Sequence, residues 1–292
     1  MTTTSVTKGA VVVGVDAAAH TDAAIAWATR YAAEHRLPLT LVHGAGTFAR
    51  LTSFDPTVTR QQMRIEGRRV TDDALAKAQK LMRSSGVEVE VRVQVLLAEG
   101  RDALLEAAAD AALLVVGSRG RGTIASVLLG SVSVGVSAHA ACPVVVARPG
   151  HDDGHVVVGV DGTESSVRAL GFAFDTASWQ GRKLDVVNTW GGGTPYPGGM
   201  VGEQRRVVTE DHRLLVAEAL AGLAEKYPDV VVAEYVVEND AVDALVRASQ
   251  EASLVVVGSR NRGDAAGLLL GSVSREVVEK AHGSVAVVRP GE

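Results

Sequence analysis

Short, almost wholly apolar runs alternate along the chain with longer segments whose apolar residues recur every three or four positions. In the first half, apolar runs at residues 10–15 and 39–42 enclose a segment with helical periodicity. One side of that helix carries Ala23, Ala24, Trp27, Ala28 and Tyr31. A strand, an amphipathic helix and a second strand in this order predict a βαβ unit.

The same two periodicities continue to the middle of the chain. They predict, in order, a helix at 58–84, a strand at 87–95, a helix at 102–111, a strand at 113–116, a helix at 131–140 and a strand at 144–147. The strands are near-continuous runs of valine and leucine, which is typical of parallel strands covered by helices on both faces. We therefore expect an α/β domain built on a doubly wound, five-stranded parallel sheet.

The whole pattern then occurs a second time. Residues 11–16 recur unchanged at 156–161, which lie 145 positions later, and the closing run at 144–150 returns with few changes at 285–291. Repeats of this length are whole domains, since solenoid units are typically about 20 to 50 residues long. The chain of 292 residues is therefore predicted to hold two tandem domains of one kind, at residues 1–150 and 151–292.

Composition and charge narrow the partners that such domains could have. Apolar residues make up 47% of the chain and aromatic residues only 4%, so the core must consist mainly of Val, Ala and Leu. A net charge of −5 gives no attraction to nucleic acid, and no apolar run reaches the roughly 18 residues that cross a membrane. We expect a cytoplasmic protein without nucleic-acid or membrane partners. Cys142, in an apolar stretch, is expected to be a buried, reduced thiol.

The residues that could carry chemistry follow the predicted strands. In doubly wound sheets, ligands bind outside the carboxyl ends of the strands, where the strand order reverses. The strand ends are marked by Asp16 for the first, Val42 and His43 for the second, and Gly117 for the fourth. Gly117 and Gly120 would let the backbone approach a ligand closely.

A further helix is predicted to begin at Gly130 and Ser131, after the fourth strand. The free N–H groups and the positive dipole end of its first turn suit phosphate oxygens. Ser131 and Ser133 add hydroxyl donors, and Arg119 or Arg121 could add charge-assisted hydrogen bonds. These residues predict a phosphate cradle made mostly of backbone.

This glycine-rich pattern, at residues 115–122 and 129–133, recurs almost letter for letter between positions 256 and 274. The spacing Gly117-x2-Gly120-x9-Gly130-Ser131, downstream of Asp16, resembles that of ATP-binding members of the universal stress protein family. The tandem arrangement resembles the family's two-domain bacterial, including mycobacterial, members. The resemblance implies a Rossmann-like fold of the adenine nucleotide alpha hydrolase-like type, ATP as ligand, a homodimer and an unidentified protein partner. Mg²⁺ could accompany the nucleotide, because phosphate oxygens themselves supply ligands.

The resemblance also implies roles for individual residues. In the first domain, Asp16 would face the ribose or adenine, and Val42 would contact adenine through its backbone. The remaining candidates there are Gly14 at the strand end, Val116, Gly117, Arg119 and Gly120 along the phosphates, and Gly130, Ser131, Val132 and Ser133 around phosphates and ribose. The matching set in the second domain is Gly159, Asp161, Val187, Val257, Gly258, Arg260, Gly271, Ser272, Val273 and Ser274. Asn261 replaces the glycine that matches Gly120, and asparagine tolerates a left-handed turn better than most residues.

Plainer interpretations stay open for each group. The glycines could serve only as tight strand-to-helix turns, although turns alone would not require Ser-Val-Ser after the last glycine in both copies. Asp16 and Asp161 could cap the helices that follow them. The four loop arginines could be ordinary solvated charges. These are Arg119, Arg121, Arg260 and Arg262.

One motif in the first domain indicates a different ligand, a dinucleotide. Residues 44–49 fit the G-x-G-x-x-A dinucleotide fingerprint, with Glu66 at about the right distance beyond it. The fingerprint should follow the first strand, however, and the second copy has Asn-Thr-Trp-Gly at 188–191 instead. We therefore reject an NAD site.

No known catalytic machinery is visible in the sequence. It contains no P-loop, no G-x-S-x-G elbow and no HExxH or cysteine cluster, so we predict neither catalytic residues nor a structural metal. The preferred hypothesis is a stress-response regulator whose ATP occupancy selects a conformation or a partner. The alternatives are a slow ATPase or nucleotidyl-transfer enzyme that recruits Asp16 or a loop arginine, and a dimerisation module with vacant pockets. The flat apolar runs at 144–147 and 285–288 are predicted to pair with each other within the chain.

Overall fold

The computed structural model describes residues 7–18, 21–46, 56–118, 130–150, 153–192, 202–259 and 270–289. The chain forms two compact units, Met1–Pro149 and Gly150–Glu292. Each unit alternates strands with helices and holds one set of five parallel strands.

The described residues of the first unit form nine elements. They are β1 (Val11–Gly14), α1 (Thr21–Glu34), β2 (Leu39–Gly44), α2 (Pro56–Ser85), β3 (Val91–Leu96), α3 (Gly100–Ala107), β4 (Leu113–Gly117), α4 (Ser131–His139) and β5 (Val144–Ala147). Its strand order is β3-β2-β1-β4-β5, and every pair is parallel. The order therefore reverses between β1 and β4, where a doubly wound sheet opens its ligand crevice.

The second unit repeats this arrangement and adds one short helix. It consists of β6 (His155–Gly159), α5 (Glu164–Gln180), β7 (Leu184–Gly191), α6 (Gly202–Leu220), α7 (Leu223–Lys226), β8 (Val232–Asn239), α8 (Ala241–Ala248), β9 (Ala252–Gly258), α9 (Ser272–Lys280) and β10 (Ser284–Val288). Its strand order is β8-β7-β6-β9-β10, again parallel throughout. Two tandem doubly wound α/β domains were predicted, and the fold confirms them.

Two predicted boundaries in the first unit were wrong. The third strand begins at Val91 rather than at residue 87, because its neighbour β2 begins at Leu39, directly opposite Val91. The carbonyl of Glu90 still accepts the N–H of Leu39 at 2.9 Å, but Val87 remains bound to the end of α2, since its N–H donates to the carbonyl of Met82 at 3.2 Å. The third helix spans Gly100–Ala107, whereas 102–111 was predicted. It ends early because the chain must turn back into β4, and the N–H of Ala112 already donates to the carbonyl of Ala10.

The core is made mainly of small aliphatic side chains, as the composition predicts. The central strands are fully buried along Val11, Val12 and Val13, and the helix α1 buries Trp27 and Ala28 against the sheet. Cys142 is buried as well, as its apolar surroundings in the sequence predicted. The central strands of the sheet are thus apolar and buried, and polar residues such as Asp16 follow their carboxyl ends.

Candidate functional site

The first strand ends in a tightly hydrogen-bonded loop that holds Asp16. The N–H of Val15 donates to the carbonyl of Val42 at 2.9 Å, so β1 stays paired for one residue beyond Gly14. The Asp16 carboxylate then accepts, through Oδ1, the N–H of Ala18 at 2.9 Å and the hydroxyl of Thr21 at 2.7 Å. Asp16 is half-buried. These bonds fix its carboxylate at the junction between β1 and α1.

The second unit holds Asp161 in a related but different turn. Its Oδ1 accepts the N–H of Thr163 at 3.1 Å and the hydroxyl of the same residue at 2.6 Å. Thr163 is itself the N-cap of α5, since its hydroxyl oxygen accepts the N–H of Ser166. The alternative in which Asp161 caps this helix is therefore wrong. Asp161 holds the capping residue and is exposed to solvent.

The glycines at the ends of the first strands face helices. A Cβ placed on Gly14 would lie 2.8 Å from Leu104 Cδ1, and a Cβ on Gly159 would lie 3.1 Å from Leu245 Cδ1. A Cβ contact of 2.8 Å is essentially never seen and one of 3.1 Å is rare, so the missing side chain lets α3 and α8 pack closely onto their strands. The geometry therefore gives both glycines a packing role, whatever contact they make with a ligand.

The fourth strand and the helix α4 are joined at the switch point of the sheet. The hydroxyl of Ser133 donates to the carbonyl of Gly117 at 2.7 Å, and the N–H of Gly130 donates to the carbonyl of Ser118 at 3.0 Å. Gly130 is the N-cap of α4 and gives it no side-chain cap. The first N–H groups of a helix have no partner within it. The first turn of α4 therefore presents backbone donors beside the end of β4.

The matching turn in the second unit has the same backbone and a different hydroxyl contact. Gly271 is the extended N-cap of α9, again without a side-chain cap. Ser274 is only 2% exposed and donates to the carbonyl of Gly271 at 3.0 Å rather than to the end of β9. Ser131 and Ser272 are exposed at the first positions of their helices. In each unit, one serine hydroxyl thus supports the turn and the other faces solvent.

Other predicted residues lie within the sheet or outside the described segments. The carbonyls of Val42 and Val187 accept the N–H groups of Val15 and Val160, each at 2.9 Å. Val116 and Val257 are buried in β4 and β9, and Val132 and Val273 are half-buried in their helices. Gly258 packs closely on α5, since a Cβ there would lie 2.7 Å from the carbonyl carbon of Ser165. The residues predicted in the intervening loops, Arg119, Gly120, Arg121, Arg260, Asn261 and Arg262, lie outside the described residues.

Comparison with known proteins assigns the chain to a family. The model of the universal stress protein family matches residues 9–148 and again residues 154–289. The chain belongs to the universal stress protein family. The resemblance seen in the sequence is thereby confirmed, and so is the tandem repetition of the family's domain.

Curated relatives and a solved structure extend the match over nearly the whole chain. A universal stress protein from Mycolicibacterium smegmatis is 35% identical over 302 residues, which covers 98% of this chain and 99% of the relative. A universal stress protein from Mycobacterium tuberculosis is 36% identical over 290 residues and covers 96% of both chains. The crystal structure of a universal stress protein from Archaeoglobus fulgidus superposes with a TM-score of 0.67 at 19% identity, covering 97% of this chain and 98% of that one. The last comparison supports the fold alone.

In this family member, the glycines of the rejected dinucleotide fingerprint have a packing explanation. A Cβ on Gly44 would lie 2.6 Å from the Cα of Gly100, and a Cβ on Gly46 would lie 2.5 Å from the backbone of Ala98 and Glu99. Both glycines therefore let the loop before α3 cross directly over the end of β2. Gly192 has the same function in the second unit, where a Cβ would lie 2.7 Å from the Cα of Asp240.

Sequence reasoning marked His43 only as the end of the second strand and gave no role to Asn188 near the end of β7. His43 Nδ1 lies 2.8 Å from the carbonyl of Val15, and Asn188 Nδ2 donates to the carbonyl of Val160, also at 2.8 Å. Each bond is made immediately before the aspartate of its unit. A residue able to donate a hydrogen bond at the equivalent position of the two mainly apolar strands was the signal that could have identified them.

The described segments contain no group of three or more His, Cys, Asp or Glu side chains that could hold a metal ion. None of the helices in those segments is long and apolar enough to cross a membrane.

Proposed function

We propose that each unit binds one adenine nucleotide, ATP, at the carboxyl end of its sheet, and that occupancy of the two sites regulates the protein in a stress response. The observation that carries the proposal is that an aspartate follows the carboxyl end of one strand and an uncapped helix N-terminus follows that of the adjacent strand. β1 and β4 are neighbours, with Val13 opposite Val115, so Asp16 and the first turn of α4 share one edge of the sheet. The second unit repeats this placement with Asp161 and α9.

The chemistry of this edge suits a nucleotide. The first turn of a helix offers backbone donors and a positive dipole end to phosphate oxygens. A carboxylate at the end of a neighbouring strand suits the hydroxyls of a ribose, as in other nucleotide-binding α/β folds. The glycine spacing resembles that of ATP-binding family members, and this resemblance favours ATP over other adenine nucleotides. Mg²⁺ would be held mainly by the phosphate oxygens of the nucleotide itself.

A regulatory role fits the hydrogen bonding of the aspartates. Oδ1 of Asp16 already accepts two hydrogen bonds from its own loop, and this arrangement suits a fixed binding group better than a base that moves a proton. A homodimer, a protein partner that senses the bound state and a cytoplasmic location belong to the same proposal. Sedimentation of the protein with and without ATP tests whether occupancy changes its assembly.

Charge placed at the two helix N-termini tests binding at each site separately. Ser131→Asp and Ser272→Asp introduce a carboxylate at exposed first helical positions, where it stabilises a helix and repels phosphate. Calorimetric titration with ATP should give two sites in the wild-type chain, one in either single variant and none in the double variant. Ser131→Asn and Ser272→Asn are the uncharged controls and should keep both sites.

The same titrations discriminate between the alternatives. Release of phosphate over many turnovers, lost in the aspartate variants, would favour the enzyme. Wild-type protein that takes up no ATP, with assembly unchanged in every variant, would favour the dimerisation module.

A further inference from the structure

One strand position and the helix position beside it carry different pairs of residues in the two units. In the first unit they hold His43 on β2 and Gly67 on α2. A Cβ on Gly67 would lie 2.5 Å from Val95 Cγ1 and 3.4 Å from His43 Cδ2, so the glycine leaves room for Val95 and lies within contact distance of the imidazole. The positions 145 residues later hold Asn188 on β7 and His212 on α6. The imidazole has thus moved from the strand to the helix.

The spacing of 145 residues is the correct correspondence for these elements. β2 and β7 begin at Leu39 and Leu184, which lie opposite Val11 and Val156, and each pair of positions differs by 145. The buried faces of the helices agree as well. Thr71 of α2 and Val216 of α6, again 145 positions apart, are both fully buried beneath their helices.

Both arrangements form a hydrogen bond to the equivalent backbone carbonyl, that of Val15 in the first unit and that of Val160 in the second. A carbonyl oxygen only accepts hydrogen bonds, so His43 must donate to the carbonyl of Val15 through a protonated Nδ1, at 2.8 Å. In the second unit Asn188, only 2% exposed, donates through Nδ2 to the carbonyl of Val160. Its Oδ1 then accepts from His212 Nδ1 at 2.7 Å. Because Asn188 is buried, its amide oxygen needs a hydrogen-bond donor that an imidazole at this position would not need, and His212 on the helix supplies it.

We propose that these pairs are matched positioning residues that hold the strand end carrying the nucleotide-binding aspartate. His43 with Gly67 holds Val15 and hence Asp16, and Asn188 with His212 holds Val160 and hence Asp161. The proposal rests on the proposed function, since the aspartates matter through nucleotide binding. In the second unit the hydrogen bonds through His212 also connect the site to α6. Leu215 of the same helix lies close to the Asp161 turn, since a Cβ on Gly162 would lie 2.9 Å from Leu215 Cδ1.

Exchange of the second pair for the first is the direct test. In the full chain, Asn188→Ala removes the bond to Val160, and His212→Gly leaves the Asn188 Oδ1 unsatisfied. Asn188→His with His212→Gly recreates the first unit's arrangement. Ala217→Gly, on an exposed position of α6, controls for the cost of a helical glycine. Amide hydrogen exchange at peptides containing Thr163 and, separately, Ala18 reports each site during titration with ATP.

The two single variants should weaken ATP binding at the second site about fivefold to tenfold, as expected for the loss of one buried hydrogen bond. They should also speed exchange of the Thr163 amide without ATP. The double variant should return both quantities to within about threefold of wild type, and Ala217→Gly should change neither. The first site, read at Ala18, should stay unchanged throughout.

A double variant that behaves no better than His212→Gly, while wild type binds ATP, would overturn the matched pair. If wild type itself shows no protection by ATP at either peptide, the proposed function fails instead. The ATP-free exchange of Thr163 then still decides the pair, because rescue of its protection by the double variant supports it and continued fast exchange contradicts it.

Discussion

The Ser133 hydroxyl donates a hydrogen bond of 2.7 Å to the carbonyl of Gly117 and so ties the first turn of α4 to the end of β4. Ser133 is only 3% exposed, whereas Ser131, two positions earlier on the same turn, is exposed. The two hydroxyls therefore differ in function. One supports the backbone that forms the site, and the other is free to meet a ligand.

Ser133→Ala should lower the stability of the first unit by about 1 kcal/mol, because it leaves the half-buried Gly117 carbonyl without this donor. Ser131→Ala should leave stability within about 0.5 kcal/mol of wild type and weaken ATP binding. Denaturant unfolding and calorimetric titration measure the two effects. Equal stability of the two variants would show that the Ser133 bond contributes nothing to the fold.

Two substitutions of Asp16 separate its structural function from ligand binding. Asp16→Asn keeps an oxygen that can accept the Ala18 and Thr21 hydrogen bonds, whereas Asp16→Ala loses both. If the carboxylate binds ribose hydroxyls, Asp16→Asn should weaken ATP binding about tenfold, with stability near wild type. Titration of the first site measures this. Affinity unchanged in the asparagine variant would limit Asp16 to a role in its own turn.

The space around Gly14 and around Gly171 predicts opposite effects on stability when each is replaced by alanine. Gly14→Ala should destabilise the first unit by about 1 to 3 kcal/mol, because its Cβ would meet Leu104 at 2.8 Å. Gly171→Ala lies in α5, where a Cβ meets nothing within 4 Å, and should stabilise the second unit by about 0.5 to 1 kcal/mol. Thermal unfolding checks both. A neutral Gly14→Ala would mean that α3 can shift without cost.

The ion pairs of Lys77 give the first unit a small dependence on alkaline pH. Lys77 Nζ lies 2.9 Å from Asp22 on α1 and 2.9 Å from Asp73 on α2, and the hydrogen bond to Asp22, followed by that to Asp73, raises the pKa of the ammonium. Because the folded-state pKa is the higher one, the stabilisation is complete below the ordinary lysine pKa of about 10.4 and is lost as the pH rises through the folded-state value.

The lysine side chain is 39% exposed, so this stabilisation should be only about 0.2 to 1 kcal/mol. Lys77→Met should lower stability by that amount at about pH 8 and by less at about pH 12. Urea unfolding at both values measures the difference. A deficit that stays constant with pH would assign the effect to packing of the lysine stem.

The sequence predicted the fold well because its main signals are local. Apolar runs fix the buried strands, and duplication identifies the domains without any knowledge of packing. The predicted start of β3 was wrong because a strand needs a neighbour, and the pairing with β2 begins only at Leu39 and Val91. Local pattern alone could not show that.

The site was predictable as a set of positions, but not in the contacts of its side chains. The direction of the Ser133 hydroxyl depends on where the Gly117 carbonyl points after folding. The two units also differ in one pair of residues, which is His43 with Gly67 in the first unit and Asn188 with His212 in the second. The members of each pair are 24 positions apart in the sequence. Such a pair becomes visible only when the helix lies against the strand.

The most direct test of two nucleotide sites is to count bound nucleotide. Protein equilibrated with ATP and freed of unbound ligand would be denatured, and the released nucleotides would be identified and quantified per chain by chromatography and mass spectrometry. The account predicts two adenine nucleotides per wild-type chain and none for Ser131→Asp with Ser272→Asp. No nucleotide from wild-type protein that also takes up none on titration would contradict it.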